Sequence, residues 1–146
     1  MRKLTLLLFL FVSLLLLAGC QKSVTDPAIV VSQVQSIDVF TGSVPVAAVK
    51  KTVTSGDDIE RLVHVINGLT IIGRASVNDQ VSGGIGIYFQ VHRLDGEDIV
   101  VYVSGNGDLV QQDGTMYKIN RIDINGLWDS LDYREIHVGE EGLPAE

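Results

Sequence analysis

GIGIYFQVHRLDGEDIVVYVSGNGDLVQQDGTMYKIN, residues 84–120, decides the fold. β-Branched and aromatic residues dominate from Ile85 to Val91 and from Ile99 to Val103, as in strands. If Leu94-Asp95-Gly96 is a three-residue loop with Gly96 left-handed, Arg93 opposes Glu97, Val91 opposes Ile99, Phe89 opposes Val101 and Ile87 opposes Val103. One face of the hairpin is then wholly apolar. The other carries Tyr88, Gln90 and His92 opposite Tyr102, Val100 and Asp98. Asn106-Gly107 and Asp113-Gly114 are further turn signals and delimit strands at Leu109 to Gln112 and Thr115 to Ile119, so the whole stretch reads as an antiparallel meander.

The elements before the meander extend it. Ile37 and Val39 alternate against Ser36 and Asp38, which predicts a strand from Val34 to Phe40, and valine-rich Val44 to Thr54 predicts a second, with Pro45 tolerated near its start. Ser55 is expected to cap a helix whose first turn carries Asp57, Asp58 and Glu60. Ile59, Leu62, Val63 and Ile66 recur at helical spacing to make one apolar stripe, with Glu60, Arg61, His64 and Asn67 on the opposite face, and Gly68 ends the helix. Leu69 to Ile72 suits a short returning strand. After the meander, Asn125 is expected to cap a short helix that turns Leu127, Trp128 and Leu131 inward. The fold class is therefore α+β: an antiparallel meander sheet of about five to seven strands with one main helix packed on one face and a short C-terminal helix.

The start of the chain has a different character. Arg2 and Lys3 precede an apolar run from Leu4 to Leu17, interrupted by Thr5 and Ser13, that closes on Leu17-Ala18-Gly19-Cys20. A spanning helix needs about 20 apolar residues, and this run is shorter and lacks a basic stop-transfer flank, so a cleaved export signal is the better reading. The four closing residues resemble the lipobox of bacterial lipoproteins. That resemblance implies lipidation of the Cys20 thiol, cleavage before it, and anchoring on the extracytoplasmic face of the cell membrane. Each buried methylene contributes about 0.8 kcal/mol, so two or three acyl chains hold durably where one does not. Cys20 is the sole cysteine, which leaves it no partner for an intramolecular disulfide. The organisation expected is a leader over 1–19, a lipidated tether over 20–32, a single domain over 33–138 and an acidic tail over 139–146.

Removing the leader takes away two of the 11 basic residues and none of the 18 acidic ones. A mature chain so acidic has no basic stripe for phosphates, which argues against nucleic acid as a partner. Its length suits one core of ordinary size but not the two lobes of a typical solute-binding protein.

Chemistry is harder to find. His64, His92 and His137 fall on separate elements without metal-ligand spacing. Gly83, Gly84 and Gly86 lead into a strand, whereas a phosphate loop opens a helix. Asp95, Asp108 and Asp113 sit beside turn glycines without the alternating spacing of a calcium loop. No serine occupies a Gly-x-Ser-x-Gly elbow, and Ser104-Gly105 is explained by a hairpin end. No catalytic residue, metal or cofactor site is assigned. The candidate binding surface is the outer meander face, Tyr88, Gln90, His92, Val100 and Tyr102, because exposed aromatic and apolar residues together mark contact sites.

Lys51 to Asn67, Gly84-Ile85-Gly86-Ile87-Tyr88-Phe89 and Tyr117-Lys118-Ile119 together resemble small uncharacterised envelope lipoproteins of spore-forming Gram-positive bacteria. The resemblance implies export and one compact α+β domain, and it carries over no functional residue. The functional expectation is a membrane-anchored, non-catalytic module that binds an envelope protein or a wall component; the alternative is a small envelope hydrolase whose site is assembled from distant residues.

Overall fold

The computed structural model describes residues 22–76, 78–79 and 84–145. The leader, Cys20 and Gly83 lie outside the described residues. Nine strands form one sheet: β1 (Lys22–Ser23), β2 (Val34–Thr41), β3 (Val49–Val53), β4 (Thr70–Arg74), β5 (Ile87–Arg93), β6 (Ile99–Val103), β7 (Leu109–Gln112), β8 (Thr115–Ile119) and β9 (Ile136–His137). Their order is β1-β4-β8-β7-β6-β5-β2-β3-β9 and every neighbouring pair is antiparallel. Two helices complete the α+β arrangement, α1 (Gly56–Asn67) and α2 (Ile124–Asp129).

The meander pairs in the register set by a left-handed Gly96. Ile87 opposes Val103, Phe89 opposes Val101 and Val91 opposes Ile99, and Gly96 has a φ of 85°. The inward residues of this hairpin are buried, Ile87, Phe89, Val91 and Val103 completely. At the Asp113-Gly114 turn both residues have positive φ, as a two-residue hairpin of the right twist requires. Gly86, also at positive φ, brings its backbone so close to the Val103 carbonyl that a Cβ would collide with it.

The β2–β3 hairpin extends the sheet beyond β5, and α1 carries the chain back across the inner face to β4 beside β8. Ile59, Leu62, Val63 and Ile66 form the buried stripe of α1, each contributing about 1.5–3 kcal/mol by leaving water. Gly68 accepts the helix end, its N–H donating to the His64 carbonyl.

Several local expectations are corrected. The sheet has nine strands rather than five to seven; β1, of two residues, arises in the segment read as tether, and β9, also of two, near the end of the domain where no strand is expected. Residues 20–32 are not a free tether in their described part. Lys22 and Ser23 pair with β4, Val24, Thr25 and Ile29 are buried, and the Asn67 amide ties the segment down. That amide accepts hydrogen bonds from Thr25 Oγ1 at 3.0 Å and the Ile29 N–H at 2.9 Å, and donates to the Ile29 carbonyl at 2.8 Å. Pro45 starts a 3-10 turn over Pro45–Ala47 instead of a strand, since it lacks an N–H for the ladder and its fixed φ suits a helical first position.

Ser55 occupies the N-cap of α1 without a side-chain capping bond. Its N–H donates instead to Tyr133 Oη at 3.2 Å, whose hydroxyl donates to Asp58 Oδ2 at 2.9 Å. The cap of α2 is Asp123, which accepts from the Gly126 N–H at 3.0 Å, and not Asn125. Beyond Val138, where a frayed tail was expected, Glu140–Gly142 forms a 3-10 turn, and the N–H groups of Val138 and Gly139 both donate to the Ala48 carbonyl.

Candidate functional site

Alternation along β2, β3, β5 and β6 sends every second side chain to the face opposite α1. The register aligns them into rows. Lys50, Phe40, Tyr88 and Tyr102 cross the four strands in one row, and Thr52, Asp38, Gln90 and Val100 in the next; Ser36 and His92 begin a third, which Asp98 continues. All five candidate residues, Tyr88, Gln90, His92, Val100 and Tyr102, therefore share one face, and all five are half-buried.

The row with the tyrosines is aromatic. The Tyr88 and Tyr102 rings lie with centroids 4.5 Å apart at 31°, and the Lys50 ammonium stands 5.8 Å from the centre of Phe40. The remainder is a charged network. Asp38, 6% exposed, accepts from Lys50 Nζ at 2.8 Å and from Thr52 Oγ1 at 2.5 Å. His92 stands between two carboxylates, Nδ1 being 3.0 Å from Asp98 Oδ2 and Nε2 3.4 Å from Asp38 Oδ2. Gln90 Nε2 also donates to Asp98 Oδ2, at 2.8 Å.

Burial alone would raise the Asp38 pKa. The hydrogen bonds from Lys50, Thr52 and His92 and the Lys50 charge outweigh it and hold the carboxyl below its ordinary 3.8. Asp38 is thus an anion fixed within the sheet face. The partners of His92 are carboxylates rather than a hydroxyl or thiol, so His92 makes no nucleophile–base contact of the kind covalent catalysis uses. Among the described residues no group of three or more His, Cys, Asp or Glu side chains is placed to hold a metal ion.

Asp38, Phe40 and Lys50 belong to this surface although sequence reasoning did not select them. The hairpin turn reveals only the β5–β6 half of the face, whereas their positions depend on β2 pairing with β5, a contact across some 50 residues of chain. The only available signal was the polar phase of the Ser36-Ile37-Asp38-Val39 alternation.

A cavity of about 480 Å³ lies on the inner side, between the N-terminal segment and the β6–β7 region, with Val24, Asp26, Ile29, Arg93, Val101 and Gln112 in its walls. His92 points to the other face of the sheet from its neighbour Arg93. A hydrolase site would have to draw His92 or paired carboxylates into one concavity, and this cavity does not contain His92. Ser104 is fully buried, and its backbone makes the hairpin bonds Ser104 N–H to Leu109 O and Gly107 N–H to Ser104 O.

Among the described residues, no helix is long and apolar enough to cross a membrane. In comparisons with known proteins, no family model matches this chain, and neither a curated protein nor a solved structure does.

Proposed function

We propose that this chain is an extracytoplasmic lipoprotein, anchored to the cell membrane through Cys20, whose domain is a non-catalytic binding module for an envelope protein or a wall component. The lipobox supports the anchor, and the outer sheet face supports the binding role. The single observation that carries the binding role is the half-exposed Tyr88–Tyr102 pair, 4.5 Å between centroids, bordered by Val100 and by the Asp38, His92 and Asp98 network that links the next two rows. Contact surfaces combine aromatic anchors with a polar rim in this way. Because the polar groups bind one another, they lose little conformational freedom when a partner arrives.

The test is crosslinking and capture on intact cells with the full chain, a Cys20→Ala variant and a Tyr88→Ala plus Tyr102→Ala variant. Cys20→Ala is expected to leave the membrane fraction; its retention there would refute the anchor. A specific partner captured by the parent and lost with the tyrosine pair supports the binding face. Capture indifferent to those tyrosines, or no specific capture, would refute it.

A further inference from the structure

Among the described residues, the first that pairs in the sheet is Lys22, two positions after Cys20. Fully extended chain covers about 7 Å over two residues, less than the width of one strand pair plus its side chains. Any anchor at Cys20 therefore keeps the β1–β4 edge close to the bilayer. β1 runs antiparallel to β4 with Lys22 opposite Ile71 and Ser23 opposite Thr70, so of the two β1 residues Lys22 is the nearer to Ile72 and Arg74.

That end of the edge has its own chemistry. The register between β4 and β8 shifts between Ile71 and Gly73, and the bulged residue, Ile72, is 62% exposed. Bulges at sheet edges re-aim side chains in this manner. Around it stand Lys22 and Arg74, both exposed, and Lys118, which pairs with Asp79. Three of the nine cations that follow the leader thus stand at this end of a strongly acidic chain, one of them matched by Asp79. The opposite edge, at β9, has Glu135, Glu140 and Glu141 against Arg134. An anionic headgroup layer attracts the first edge and repels the second.

We infer that the β1–β4 edge is a membrane-apposed surface, on which Ile72 meets the headgroup region of an anionic bilayer and Lys22 and Arg74 face lipid phosphates. The inference rests on lipidation of Cys20 as proposed above. It orients the domain, since a bilayer at this edge leaves the β2–β3 side of the sheet directed away from it.

The experiment uses the full chain, lipidated in a bacterial host and reconstituted into vesicles of phosphatidylethanolamine and phosphatidylglycerol. An environment-sensitive fluorophore is attached at Ile72→Cys or at Val46→Cys, a site of matched apolarity and exposure, 66%, near the acidic edge. The Ile72 probe is expected to shift to the blue and to be quenched by spin-labelled lipid, more strongly than on phosphatidylcholine vesicles, while the Val46 probe does neither. Equal responses from the two probes, or equal quenching on the two kinds of vesicle, would overturn the inference while leaving the anchor intact. Cys20→Ala protein that sediments with membranes as the parent does would refute the anchor itself, and the inference with it.

Discussion

Replacing Asn67 by alanine removes the clamp that converts the first described residues from a linker into part of the core. The amide makes three hydrogen bonds to Thr25 and Ile29, between 2.8 and 3.0 Å. At a net value of about 1 kcal/mol each they contribute about 3 kcal/mol. Ile29 is 6% exposed, so its N–H and carbonyl would be left unpaired at a further cost of about 1–3 kcal/mol each unless water reaches them. Alanine recovers about 0.5 kcal/mol of helix propensity at the last position of α1. A net loss of about 2–4 kcal/mol follows, because partial release of the segment lets water satisfy the orphaned groups. Urea unfolding of the chain lacking residues 1–20, followed by the fluorescence of its single tryptophan, Trp128, measures it. With an m-value of about 2 kcal/mol/M, the middle of the usual range, the midpoint falls by about 1–2 M. Thr25→Ala in the Asn67→Ala background should add almost nothing, since both remove one contact. A loss below about 0.5 kcal/mol, the range of ordinary surface substitutions, would refute the view that the segment is clamped.

Two further perturbations probe the two faces of the sheet. The folded pKa of Asp38 lies below its ordinary 3.8, so its stabilisation is complete above that value and is lost as pH falls through the lowered pKa. Asp38→Asn should cost about 1–3 kcal/mol near neutrality, with the gap from the parent closing in acid; a gap constant with pH, read from urea midpoints, would contradict this. On the inner face, Lys51 Nζ donates to the carbonyls of Trp128 and Leu131 at 3.0 and 2.9 Å and lies 4.4 Å from the Trp128 ring centre. Lys51→Met should destabilise by about 1–3 kcal/mol and shift Trp128 emission to the red, and an unmoved emission maximum would show that α2 docks without it.

Sequence carries most information where the decision is local. The β5–β6 register follows from a turn that needs one left-handed glycine, and a one-residue slip would turn Phe89 and Val101 to solvent. The α1 stripe follows from four apolar residues at helical spacing. Two-residue strands have no period to read, which is why β1 and β9 were hidden within polar segments. Ser55 stands at the N-cap of α1 as expected although its hydroxyl makes no capping bond, whereas Asn125, a suitable residue type beside the α2 start, is not the cap. In the structure, Tyr133 occupies the Ser55 N–H and the neighbouring Asp123 captures the Gly126 N–H. The candidate site divides along the same line: Tyr88 and Tyr102 are hairpin partners, whereas Asp38 and Lys50 join them only through the β2–β5 pairing.

Lys51 shows why the remainder could not be read locally. Along Val49-Lys50-Lys51-Thr52-Val53, strict alternation must send one lysine outward and the other into the core, and two identical side chains give no sign of which. The outward one finds Asp38 and the ring of Phe40. The inward one, 9% exposed, would be prohibitive as an isolated buried charge. It is stable because the last turn of α2 and the loop after it hold the Trp128 and Leu131 carbonyls above it, residues 77 and 80 positions away, so the negative end of a helix meets the ammonium. A hydrophobic pattern counts this position as an error in the strand. The folded chain uses it to bind its last helix to the sheet, and a sequence reading can find it only after the topology has brought those carbonyls above β3.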